Sequence, residues 1–214
     1  MKFTDKLFNE VKTLWDIASE KEFLFQMAKG TLANDRFKEY MLQDYYYLVE
    51  YKDILERLLK VSDDEVKDFI QGTLTAIVEE TEMVHLPALK NLGVSDEEIK
   101  TRTMAPAIKE YTDFYKDQIE KYGLLAGITA LLQCSWNYAY LGKELNERYH
   151  DDIVNSPFKM WFDAYVSEGY VATNEKWINL VDTKTSGIDE ETEKVLKGIF
   201  KSCAEYEIKF WDSL

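Results

Sequence analysis

Apolar side chains recur along this chain at steps of three and four, the repeat of a helix with one buried face. No run alternates with the period of two that a half-buried strand requires. The pattern predicts helices near 3–15, 19–29, 35–60, 63–86, 95–101, 105–121, 124–149, 157–182 and 189–212, with the eighth broken near Glu168. Stop and start signals agree with these limits. Gly93 and Gly123 follow the last periodic positions of their segments, as helix-ending glycines do. Ser62-Asp-Asp-Glu65 and Ser95-Asp-Glu-Glu98 have the spacing of a capping box, and Ser156-Pro157 that of an N-cap followed by proline. Asn34 or Asp35 opens the long third helix, and residues 183–187 (TKTSG) form a loop before the last one. With no linker, low-complexity tract or internal repeat, the expectation is a single all-helical domain over 1–214 with a bundle core.

Three of the apolar seams carry a residue that does not belong there. The first runs Phe37, Met41, Asp44, Leu48, Tyr51, Leu55, Leu58; the second Leu124, Gly127, Leu131, Cys134, Tyr138, Leu141, Leu145; the third Leu196, Phe200, Cys203, Glu207, Phe210, Leu214. A carboxylate on a core face costs several kcal/mol unless it is paired, hydrogen-bonded or protonated. Glu205, two residues from Glu207 and about 200° around the helix, is expected to face solvent. An Asp, a Cys and a Glu on three helices suit nucleophilic and acid–base chemistry at one cavity. Each alone is equally well a structural tie, a small core residue or a charge near a helix end, and the residues themselves leave both readings open.

Composition narrows the classes. Against 26 Lys and Arg stand 40 Asp and Glu, a formal charge of −14. A surface of that sign repels phosphate backbones, so nucleic acid is not an expected partner. Two cysteines far apart make no disulfide framework and suit a reducing cytoplasm. The first residues scatter charges among apolar side chains, unlike a signal peptide, and no run is long enough to span a membrane. The 14 Tyr and 5 Trp provide flat walls with polar tips for a core, an interface or a pocket.

The segments RFKEYMLQDYYYL (36–48), ITALLQCSWNYAYLGKEL (128–145) and AEYEIKFW (204–211) together resemble the TenA family of thiaminase II or aminopyrimidine aminohydrolases, in block order and in spacing over nearly the whole chain. The resemblance implies a heme-oxygenase-like helical bundle without heme, assembled as a homotetramer. It implies hydrolysis of 4-amino-5-aminomethyl-2-methylpyrimidine, a thiamine breakdown product, to the 5-hydroxymethyl pyrimidine and ammonia in thiamine salvage, with some relatives also splitting thiamine. It assigns Cys134 as nucleophile, Glu207 as proton donor, Tyr47 as support for the nucleophile, Asp44 as the group gripping the pyrimidine, and Tyr111, Tyr138 and Tyr165 as lining, with no cofactor. The chain departs from the pattern in three places. Ser135 stands where many relatives carry a bulky aromatic residue, the Glu82–His85 spacing is one residue shorter than usual, and the chain stops three residues after Trp211.

Two other readings belong to different classes. Glu82-x-x-His85 and Glu147-x-x-His150 match the Glu-x-x-His element of di-metal carboxylate bundles. Against it, Glu147 projects away from its helix's seam and His150 sits at a helix end beside Asp151 and Asp152, where solvated charge is expected. A non-catalytic helical scaffold or regulator is the other, and it would tolerate loss of Cys134.

Overall fold

The computed structural model describes residues 1–214 and is helical throughout, with no strand. Its helices are α1 (Phe3–Ser19), α2 (Glu22–Ala28), α3 (Asn34–Val61), α4 (Asp64–Glu80), α5 (Leu86–Asn91), α6 (Asp96–Thr101), α7 (Pro106–Ile153), α8 (Lys159–Val166), α9 (Glu168–Lys184) and α10 (Glu190–Asp212). A π-helical turn, Thr81–His85, joins α4 to α5. No helix is long and apolar enough to cross a membrane.

Most of the expected helices are present with shifted ends, but those expected at 105–121 and 124–149 are the single helix α7, and the one expected at 63–86 ends in the π turn and is followed by α5. The break foreseen near Glu168 falls at Ser167, whose Oγ accepts from Tyr170 N and caps α9. Ser95 and Glu98 form the reciprocal capping box at α6. At the Ser62 box the roles differ from expectation. Asp63 is the cap, its Oδ1 accepting from Val66 N, while Ser62 Oγ donates back to Leu58 O and closes α3. Ser156 does not cap a helix directly either. Its Oγ donates to Met27 O and accepts from Phe158 N, and α8 starts only at Lys159. The stop foreseen at Gly123 lies inside α7, where its φ of +71° breaks the right-handed path. Nothing lies within 4 Å of where a Cβ would sit, so the backbone, not space, asks for glycine.

The chain divides into two compact units, Met1–Leu32 with Leu125–Asp212, and Ala33–Leu124 with Ser213–Leu214. In the first, α1 buries Leu7, Val11, Trp15 and Ala18 and packs on α10 and α9. Trp15 meets Trp136 of α7 and Phe200 of α10 edge-on or tilted, with ring centroids 5.5 and 6.1 Å away. In the second, α3 packs on α4, the π turn and α5. Val66, Ile70, Leu55, Leu58 and Leu89 are sealed from solvent there. Gln43, a polar residue on that core face, is satisfied: its Oε1 accepts from Ala105 N at 2.7 Å and its Nε2 donates to Glu39.

Candidate active site

In the second unit the odd seam residue is Asp44. Its neighbours along the seam, Met41, Leu48, Tyr51 and Leu55, are buried, whereas Asp44 and Tyr47 remain partly open. Asp44 Oδ2 lies 2.7 Å from Nε2 of His85, the last residue of the π turn. Oδ1 has no protein partner. Behind the imidazole, Nδ1 makes no hydrogen bond and faces Glu80 Oε1 at 4.0 Å. Burial alone would push His85 down; the hydrogen bond and charge of Asp44, with the charge of Glu80, outweigh it and raise its pKa above the ordinary 6.5. Glu80 is also raised, by its crowded surroundings first and the Asp44 charge second, although nearly half of its side chain is open.

Beside Asp44 stands a group of tyrosines. Tyr47 lies one turn on, its ring 6.0 Å from Tyr111 and its hydroxyl 3.5 Å from that of Tyr115. Tyr111 stacks on Tyr115 at 4.5 Å with 27° between the planes. Tyr115 was not singled out by its sequence position, and His85 only as a candidate metal ligand with Glu82. The signal for Tyr115 was its place one turn after Tyr111.

In the first unit the candidate residues lie on α7, α8 and α10. Cys134 is half-buried in a seam whose other members, Leu131, Tyr138, Leu141 and Leu145, are sealed. Tyr138, one turn on, lies 4.9 Å from Tyr165 of α8 and 5.9 Å from Trp211 of α10. Tyr165 reaches it because Gly142 has no side chain: a Cβ there would fall 2.7 Å from Tyr165 Cβ. Ser135 leaves room that α9 fills. Tyr170 Oη donates to Ser135 O, and Ser135 Oγ donates to Asn174 Oδ1, both at 3.2 Å. Glu207 is 2 % exposed and Glu205 is exposed, as the seam foresaw. Cys203, one turn before Glu207, is fully buried, and burial first, then the Glu207 charge, push its thiol well up.

The Glu-x-x-His reading does not survive the geometry. Glu82 points to solvent while His85 turns inward to Asp44, so the two form no ligand pair. Glu147 and His150 are both exposed, and Glu147 pairs with Lys143 at 3.9 Å.

Residues 8–214 match the TENA/THI-4/PQQC family. The chain belongs to this family. The aminopyrimidine aminohydrolase of Helicobacter pylori is 25 % identical to it over 99 % of this chain and 98 % of its own. That of Halalkalibacterium halodurans is 26 % identical over 99 % and 95 %. The solved structure of a TenA homologue from P. horikoshii OT3, 25 % identical, superposes with a TM-score of 0.88 over 99 % of this chain and 97 % of that one. The fold is thus the all-α, heme-oxygenase-like fold of the TenA homologues. The Asp44, Cys134 and Glu207 seams all lie within the matched span.

Proposed function

We propose that this protein is an aminopyrimidine aminohydrolase of the thiaminase II type, acting on 4-amino-5-aminomethyl-2-methylpyrimidine in thiamine salvage. The names of its full-length relatives support a hydrolase acting on C–N bonds. The observation that carries the reading to this chain is Asp44. One carboxylate oxygen is tied to a buried histidine, the other is unpartnered, and tyrosine rings stand alongside. Such a group accepts from the amino edge of a flat aromatic ring while the tyrosines stack on its face.

The reaction asks more than binding. An aromatic ring does not release its CH2–N bond to water directly. In our reading the Cys134 thiolate adds to a ring carbon, forming a C–S bond and breaking the aromaticity. Electrons then flow toward the methylene and the C–N bond breaks. The amine departs as ammonia with a proton from Glu207. Water adds to the methylene, gives its proton back to the acid, and the C–S bond breaks to restore ring and thiolate. The sum is substrate plus water to the 5-hydroxymethyl pyrimidine plus ammonia. Cys134 suits the nucleophile's part because it is partly open and has no acid one turn away on its helix. Tyr47 would support the thiolate by hydrogen bonding. Tyr111, Tyr138 and Tyr165 would line the ring site.

The finer parts of the reading are a cytoplasmic setting, the two units working as one catalytic domain, and a homotetramer. The last rests on the family resemblance, and light scattering checks it. Ammonia release from the aminomethyl pyrimidine, with thiamine as the parallel substrate, tests the activity. Turnover by the wild-type protein that survives Cys134→Ser would overturn the covalent route, and no turnover of either compound would overturn the function.

A further inference from the structure

His85 has no part in the reaction outlined above, and the metal-ligand role its sequence spacing suggested is not borne out by the geometry. It is nevertheless 5 % exposed, and its one hydrogen bond is to the carboxylate assigned to the substrate. The turn that brings it there is unusual. Five residues of π helix stand where α4 would otherwise continue, and single π turns of this kind concentrate at functional sites. Glu82, Met83 and Val84 of the same turn face solvent, so the wide turn buries His85 and leaves its neighbours outside.

We propose that His85 is the positioning residue of Asp44: its Nε2–H holds Oδ2 and thereby aims the unpartnered Oδ1 at the amino edge of the pyrimidine. This rests on the aminopyrimidine reading and deepens it. A charge-assisted hydrogen bond of this length fixes a carboxylate far more firmly than packing does. Glu80, behind Nδ1, favours the imidazolium, the form that donates from both ring nitrogens. The charged groups facing the ring from the elements packed on the π turn are Asp44 of α3 and Glu80 of α4. From α5 the one charged side chain, Lys90, is turned outward toward Asp96. The partners shift the imidazole toward its protonated form, so affinity for the ring should decline as the pH climbs through the raised value.

The test compares wild type, His85→Gln and His85→Asn, each checked for its helical spectrum, by calorimetry with the 5-hydroxymethyl pyrimidine and by ammonia release from pH 5.5 to 9. A Gln amide reaches about where Nε2 stands, and an Asn amide falls short. The Gln variant should keep affinity within about threefold and lose the decline at high pH. The Asn variant should lose about tenfold or more in affinity, the loss expected for a hydrogen bond to a charged group. Nitrogen-detected titration of the unliganded wild type should find His85 above the ordinary 6.5, and Glu80→Gln should lower it. Equal affinity and identical pH profiles in all three proteins would overturn the positioning role. A wild-type protein that neither binds the pyrimidine nor releases ammonia would overturn the aminopyrimidine reading itself, and the role given to His85 with it, whatever the titration shows.

Discussion

Cys134 near the middle of α7 and Cys203 near the middle of α10 occupy equivalent places, each on an apolar seam with a polar residue one turn on. The surroundings make them different chemicals. Cys203 is sealed completely and sits beside Glu207, and both facts disfavour its thiolate. Cys134 is partly open, is followed by Tyr138, and has no acid within a turn of its own helix. A seam position therefore does not decide what a thiol can do. Access to solvent, and the charge beside it, do.

The comparison breaks most sharply on activity. Cys134→Ser should abolish ammonia release while leaving product affinity intact, since Asp44 and the tyrosines remain; turnover and calorimetry on one preparation check both halves. Next comes the acid. Glu207→Gln should cost about 10²-fold in turnover, the scale of a lost general acid, while Glu205→Gln is silent. The same Glu207→Gln change removes the smaller of the two influences that raise the Cys203 thiol, burial being the larger, so alkylation of Cys203 should shift modestly to lower pH. Gly142→Ala follows: its new methyl meets Tyr165 at 2.7 Å, which predicts a loss of about 1–3 kcal/mol in thermal or urea unfolding and a raised KM as the Tyr138–Tyr165 pair is pushed apart. Smallest is Cys203→Ser, with near-normal turnover and a destabilisation below about 2 kcal/mol, the effect of one added buried hydroxyl. Iodoacetamide should label Cys134 in the native protein and leave Cys203 untouched; the reverse order would invert the assignment.

Much of this was legible in the chain because helices write their burial as spacing. The contrast of Glu207 with Glu205 follows from two residues' rotation, and the broken path at Gly123 from a glycine after a periodic run. His85 was not legible, and the reason is geometric. Counted along a regular α-helix from Ile70, His85 drifts about 60° and Leu89 about 100° off the buried face. The π turn takes up that drift and returns both to the core. Nothing in the local sequence announces the extra residue. The partners of Ser135 were hidden for a simpler reason: Tyr170 and Asn174 are brought to it by packing between helices far apart in sequence. At Ser62 two capping candidates adjoined, and the register of the preceding helix gave the role to Asp63.

The division of the chain also has a consequence for its birth on the ribosome. The first unit is discontinuous: α1 and α2 are made at once, but the helices α1 packs on, α9 and α10, are made last. At synthesis rates of about 5–20 residues per second, the amphipathic face of α1 with Leu7, Val11 and Trp15 waits roughly ten to thirty seconds for its cover. The stretch Ala33–Leu124 has nearly all of its own partners within itself and can collect its core during that wait. Nascent α1 is thus the part of this chain with most need of a chaperone's shelter.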